Sequence, residues 1–407
     1  MRALVTAGPP RSLGWVRDMA WLVPERGRLY AIAALSCAAG IVAGLLWQVP
    51  GGHAQDGVPL GMDFVSFWAA SRLVWAGFAA GPYAPALHRL AELPVIPAGA
   101  YEAFFYPPPY LVLCLPLAAL PFFWSLAAFM GATGAAYAAA AWRAARSPWI
   151  AAAALAYPAV LLNLIAGQNA MLIAALLGGG LTLMDRRPRS AGLLLGLLVV
   201  KPHLALAVPV ALVASRRWAV LGSAALSALA LAGLSLALFG LEAWQGFLAG
   251  ATEGRRVLEQ GLVAFSKFQS AFAVARALGL GVPAAYAAQG LVAGAALGSL
   301  LWTQRRGASP GVERALIVLA SLLATPFLLH YDLVALAFPL AWLLAEWSDQ
   351  GFPPWSKLVL LAAYLLPAAV FFWPQAHPCW LGMIGLLAYV ARTQARRGCR
   401  PGEARTA

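Results

Sequence analysis

The 407 residues are 62% hydrophobic and 11% charged, with a mean hydropathy of +0.76. Soluble domains carry about 45 to 50% apolar and about 25% charged residues, so this composition excludes a water-solvated globule and describes an integral membrane protein. The net charge of +13 would suggest nucleic acid in a soluble chain, but in a membrane protein it must first be set against topology. Cys37, Cys114, Cys379 and Cys399 form no CxxC and have no histidine at ligand spacing, which speaks against a zinc site or a disulfide framework.

The basic segment 1–29 holds Arg2, Arg11, Arg17, Arg26 and Arg28 and precedes an apolar run over 30–48. A hydrocarbon core about 30 Å thick needs roughly 20 apolar residues of helix. The positive-inside bias keeps 1–29 in the cytoplasm and sends the chain out at residue 49. No small-x-small cleavage site follows, so the run reads as an uncleaved span. The segment 49–106 is then an extracytoplasmic loop with room for surface helices. The stretch 106–142 has the length of two spans broken at Pro116 or Pro121, or of one. Further apolar runs fall at 148–166, 170–184, 190–200, 203–215, 219–240, 282–302, 313–327, 333–347, 357–373 and 379–391. A second outer loop covers 241–280, and a basic tail covers 392–407. The expectation is a single all-α polytopic domain over 1–407 with 12 or 13 transmembrane helices. Alternating the runs puts 21 of the 28 basic residues in the cytoplasm, so the excess charge reports topology and the case for nucleic acid falls away.

The polar residues that remain gather in or near the two outer loops. GMDFVSFWAASRLVWAG predicts an amphipathic helix at the membrane surface, with Phe64, Phe67, Trp68, Trp75 and Phe78 mostly on one side and Arg72 elsewhere. Asp63, just before it, is either an N-cap or a catalytic acid, and the two roles are compatible. In AGLLLGLLVVKPHLALAVPVALV, Lys201, Pro202 and His203 separate two arms too short to cross a bilayer, so the tip ends within the membrane thickness. Lys201 there either snorkels or bonds helix-end carbonyls, or it is the counter-ion of a phosphate on a lipid tail. In LLNLIAGQNAML, Asn163, Gln168 and Asn169 surround a helix break, where amides satisfy freed backbone groups or bond a substrate's hydroxyls; the structural role is favoured. In TPFLLHYDLVAL, adjacency of Asp332 would favour protonated His330, which suits a phosphate.

These elements, in order, resemble the bacterial membrane glycosyltransferases of family 87. The resemblance rests on MDFVSFWAASRLVWAG, GPYAPALHRL, FFYPPPYLVLCLPLAALPF, AGQNAMLIAALLGGGL, AGLLLGLLVVKPHLALAVPVAL and TPFLLHYDLVAL, and so spans most of the chain. It implies a GT-C fold, a polyprenyl-phosphate sugar as donor, and a site on the outer face of a bacterial cytoplasmic membrane. The catalytic aspartate of the first outer loop carries over onto Asp63, the lysine onto Lys201 and the late histidine onto His330. Tyr83-Ala84-Pro85 departs from the common Tyr-Asp-Pro, which leaves that acid's role without a residue here.

Such a sugar leaves as a phosphate ester whose growing charge needs cations, for which Lys201, His330, Arg255, Arg256 and Lys267 are the candidates. The acceptor hydroxyl, on a cell-envelope glycolipid or glycan, needs a base on the opposite face, and Asp63 is the candidate for an inverting displacement. Arg72, Tyr106, Gln168, Asn169, His203 and Asp332 are candidate sugar or acceptor contacts. Phe64, Phe67 and Trp68 either stack on sugars or anchor at the interface. No motif calls for a cofactor or a metal. The leading rival is a transporter or flippase of a lipid-linked or anionic substrate, although no internal repeat is evident and most acids sit in loops. A non-catalytic envelope scaffold would need no aligned polar cavity.

Overall fold

The computed structural model describes residues 11–48, 52, 58–97, 100–370, 372–373, 375 and 377–397. Residues 1–10 and 398–407 of the two basic termini lie outside the described residues, as do 49–51, 53–57 (with Asp56), 98–99, 371, 374 and 376.

The described residues are helical throughout, in the order α1 (Arg11–Asp18), α2 (Pro24–Gln48), α3 (Phe64–Trp75), α4 (Pro85–Glu92), α5 (Pro108–Cys114), α6 (Phe122–Ala145), α7 (Pro148–Leu155), α8 (Pro158–Ala166), α9 (Ala170–Leu183), α10 (Pro188–Gly196), α11 (Ala207–Ala214), α12 (Trp218–Gln260), α13 (Ala271–Ala277), α14 (Val282–Arg305), α15 (Pro310–Ala324), α16 (Ala337–Gln350), α17 (Ser356–Ala369) and α18 (Pro378–Arg397). Proline opens eight of these helices, where its fixed φ is pre-set for the first turn and its missing N–H costs nothing. Phe268 and Leu329 form an antiparallel bridge.

Four described helices are long and apolar enough to cross a membrane: Glu25–Gln48, Phe122–Ala145, Trp218–Gln260 and Val282–Arg305. α7 and α8 make a fifth if their 42° bend is counted as one broken span. Five further apolar pieces, Pro108–Ala119, Ala170–Leu183, Pro188–Val200, Pro202–Ala214 and Ser356–Ala369, are shorter. The stretch 106–142 accordingly holds one span-length helix, α6, and one short piece. α12 leaves helical geometry at Gly240 (φ 69°, ψ 178°), at the end of the 219–240 apolar run.

The core is built on α9 and α15. α9 is apolar on all sides and α15 is so beyond Glu313 and Arg314 near its start, as suits helices surrounded by protein, and α15 is buried at nearly every position from Gly311 to Leu323. α10 packs closely on α12 because Gly192 and Gly196, one turn apart, leave no Cβ where the α12 backbone passes. Ser227 Oγ then donates to the Leu193 carbonyl at 3.0 Å. Much of α3 packs against protein: Phe64 to Ser71 and Leu73 are buried, with Tyr110, Phe122 and Phe129 against Phe64 and Phe67, while Trp75 and Phe78 at the end of the aromatic stripe stay exposed.

Candidate active site

The site is assembled at one end of the core by the crossing of two turns. After α8 the chain turns at Gly167, whose φ of +73° suits glycine alone among common residues. A Cβ there would lie 2.8 Å from Gly61 Cα and 2.9 Å from Phe64 Cβ, so the two turns touch backbone to backbone. Gly61 N–H donates to the Ile165 carbonyl at 3.2 Å and Asp63 N–H to the Ala166 carbonyl at 3.0 Å. The pairing sets Asp63 beside Gln168.

The Asp63 side chain makes no capping hydrogen bond to α3, and its backbone is already α-helical (φ −67°, ψ −23°), unlike the extended geometry of an N-cap. The carboxylate instead accepts from Gln168 Nε2 at 3.1 Å. Gln168 Oε1 accepts from the Tyr106 hydroxyl at 3.0 Å and from the Asn169 backbone N–H at 3.3 Å, which fixes the amide's orientation. Tyr83, of the Tyr-Ala-Pro turn, donates its hydroxyl to the Tyr106 carbonyl at 3.0 Å. Asn163 has the structural role favoured for these amides, its Oδ1 accepting the Ala170 N–H at 2.8 Å at the start of α9.

Burial holds the Asp63 carboxyl above the usual carboxylate range, against the Gln168 hydrogen bond and the charges of Lys267, His330 and Lys201. Burial, together with the charge of Asp63, also raises Glu102, to about 7. Glu102 therefore belongs to the same electrostatic neighbourhood, which nothing in its local sequence signals.

Lys201 occupies the break between Leu197–Val200 and Pro202–Ala205, with non-helical backbone (φ −148°, ψ 64°). Its side chain is 4% exposed and its Nζ lies 2.6 Å from Asp332 Oδ1 and 3.4 Å from Asn169 Oδ1. The rings of Tyr106 and Tyr331 flank the ammonium at 5.7 and 5.3 Å. From the sequence, Tyr331 falls in the outer polar cluster with His330 and Asp332 but has no role of its own. The second oxygen of Asp332 accepts the Leu329 N–H at 3.4 Å.

Asp332 serves Lys201 and its own loop, and its expected support for a protonated His330 is present but outweighed. Burial lowers His330, outweighing the charges of Asp63 and Asp332. His330 Nδ1 lies 3.3 Å from the Lys267 carbonyl, in a loop pairing continued by Gln269 N–H to the Leu328 carbonyl at 2.7 Å. Lys267 is exposed.

Asp63, Tyr106, Gln168, Asn169, Lys201, Lys267, His330 and Asp332 thus form one neighbourhood. Four further candidates have other surroundings. Arg72 lies over the Trp68 ring at 4.9 Å, and His203 faces Phe327 with ring centroids 6.4 Å apart. Arg255 pairs with Glu259 at 2.7 Å, and Arg256 with Glu253 at 3.3 Å, on their own exposed helix. Phe64 and Phe67 are fully buried and present no face to a sugar.

Fold and site define an integral membrane protein whose scarce charged side chains converge on a carboxylate at one end of its apolar helices. The chain belongs to glycosyltransferase family 87, whose profile matches residues 104–329. It is accordingly a membrane glycosyltransferase. Tyr106, Gln168, Asn169, Lys201 and Lys267 lie within the matched range, and Asp63, His330 and Asp332 flank it. No curated protein and no solved structure matches the chain.

Proposed function

We propose that the enzyme transfers a hexose, mannose being the family's best-known case, from a polyprenyl-phosphate donor to a glycolipid or glycan acceptor of the cell envelope. The reaction takes place on the outer side of a bacterial cytoplasmic membrane, in a GT-C-type chain whose short apolar helices complete the 12 or 13 crossings. The acceptor hydroxyl attacks the anomeric carbon from the face opposite the phosphate and gives its proton to Asp63. The C1–O bond to phosphate breaks, and the configuration inverts. Polyprenyl phosphate departs with the bonding pair, stabilised by Lys267 and His330, which stand nearer to solvent than Lys201. Lys201, neutralised by Asp332, holds the floor of the site and orients Asn169, while Gln168 fixes the direction of the base.

The observation that carries this reading is the orientation of Asp63. Its carboxylate is not spent on its own helix but is held by a side-chain amide, with the lysines Lys201 and Lys267 and the His330 imidazole around it. Replacing Asp63 by Asn keeps size and the capacity to accept from Gln168 but removes the base. The expected outcome is a fall in kcat of at least about 100-fold with donor KM little changed. In the wild-type enzyme kcat/KM should rise with pH, through a pKa above the usual carboxylate range. Wild-type turnover in folded D63N would remove Asp63 from this role.

A further inference from the structure

His88 and Glu92 lie four residues apart on α4 and are both fully buried. The helix is inside-out. Leu87, Leu90 and Leu93 are turned outward with exposures of 41, 63 and 46%, while the imidazole and the carboxyl point into the protein. An apolar face outward suits a helix bedded in lipid at the membrane surface. The inward groups then have to satisfy one another.

His88 Nε2 is 3.1 Å from the carbonyl of Ser66, in the first turn of α3, and Ser66 Oγ donates in turn to the Asp63 carbonyl at 3.0 Å. A carbonyl only accepts, so Nε2 carries a hydrogen. His88 Nδ1 lies 3.4 Å from Glu92 Oε1, and Glu92 Oε2 accepts the backbone N–H of Glu102 at 3.2 Å. Neither atom has any other hydrogen-bond partner among the described residues, and a nitrogen lone pair facing a bare carboxylate would be repulsive, so the contact calls for one further proton on Nδ1 or Oε1. The pair is neutral whichever atom holds it.

We propose that this single buried proton makes His88 and Glu92 positioning residues for Asp63: it fastens α4 and the Glu102 segment to the first turn of α3, and its loss at alkaline pH releases that turn. Only the catalytic consequence rests on the reading of Asp63 given above. Burial draws His88 down to about 4 and raises Glu92 to about 8, which puts the proton on Glu92 in the neutral range. Facing Glu92 are Arg89 and His88 on its own helix and Tyr101 and Glu102 on the segment after it; α3 brings the Ser66 carbonyl to His88 and the Arg72 guanidinium to the Ala91 carbonyl beside Glu92. Ionised Glu92 would stand beside Glu102 with Arg89 as its opposing charge. Since the folded-state pKa is raised, the contribution to stability is fully present below the usual carboxylate range and is lost as pH climbs toward about 8.

The test uses the full-length enzyme in lipid nanodiscs. Hydrogen exchange of peptides spanning 62–75, corrected for intrinsic rate, is followed from about pH 6 to about pH 9, alongside kcat and KM with a short polyprenyl-phosphate mannose. In Glu92→Gln the amide donates to His88 Nδ1 and its carbonyl accepts from Glu102, with nothing left to titrate. Wild-type protection should fall about tenfold across the alkaline range while E92Q holds, and the alkaline fall in kcat should vanish in E92Q with KM unchanged. His88→Ala should be deprotected at every pH. E92Q tracking the wild-type pH dependence, or H88A matching wild-type protection, would overturn the proposal. An active D63N enzyme together with pH-independent exchange in E92Q would remove the base and leave the fastening intact.

Discussion

The most consequential single contact is the one between Lys201 and Asp332. Two opposite charges almost without solvent hold each other firmly, but neither tolerates losing its partner. Asp332→Asn should destabilise the folded protein by about 3 to 5 kcal/mol, read as a lowered unfolding temperature in detergent. It should also weaken donor binding, because Asp332 orders the loop that carries His330. Lys201→Met combined with Asp332→Leu should recover much of the stability and none of the activity. A double variant no more stable than the singles would count against the pairing. At this scale the sequence was legible wherever charge is scarce: Asp63 and Lys201 stand out because an ionic group in an apolar chain needs a reason. Their partners were not legible. Gln168 lies 105 residues from Asp63 and Asp332 lies 131 from Lys201, separations across which no local periodicity carries information. His330 was misread because its burial was not legible: Asp332 does favour the protonated imidazole, but loss of water outweighs it.

Among the elements, the crossing of the Gly61 and Gly167 turns decides where the acid points. Gly167→Ala puts a methyl against backbone on both sides at a φ that alanine resists, and should cost about 1 to 3 kcal/mol. It should lower kcat more than donor KM, since the base moves and the cations do not. Gly134→Ala is the control: it lies in helical α6, and its nearest neighbours are the Met171 thioether atoms at 3.8 Å. It should be neutral or gain up to about 1 kcal/mol from a stiffer unfolded chain. Chemical unfolding of both variants compares them directly. The break at Lys201 was readable from the two short apolar arms around it. The burial of α3 was not, because an aromatic stripe looks the same whether it meets lipid or the rings of Tyr110, Phe122 and Phe129, which arrive from later in the chain.

Over the whole molecule, ionic groups are held at both ends of α9, about 21 Å apart at 1.5 Å per residue. At the end opposite Asp63, Asp185 pairs with Arg217 and Arg314, Arg217 reaches Glu313 at 2.9 Å, and Gln304 donates to Glu313 at 2.9 Å. This network ties α9, α12, α14 and α15 together. With Asp185 about a third exposed, Asp185→Asn should cost only about 1 kcal/mol. The unfolding temperature should drop by a few degrees while donor KM stays at its wild-type value, and a changed KM would mean that the two ends are coupled. Membrane character and all-helical class were legible from composition alone. The number of complete crossings was not, because an apolar run does not disclose whether it folds as one long helix or as short pieces meeting at a turn. The outward leucines of α4 add a last consequence. With α4 bedded in lipid as proposed, its His88 contact to the Ser66 carbonyl would gauge the height of the acid from the nearer sheet of lipid rather than from the far one. A sugar carried on a flexible prenyl tether would then meet its base at the same level in thick and thin membranes alike.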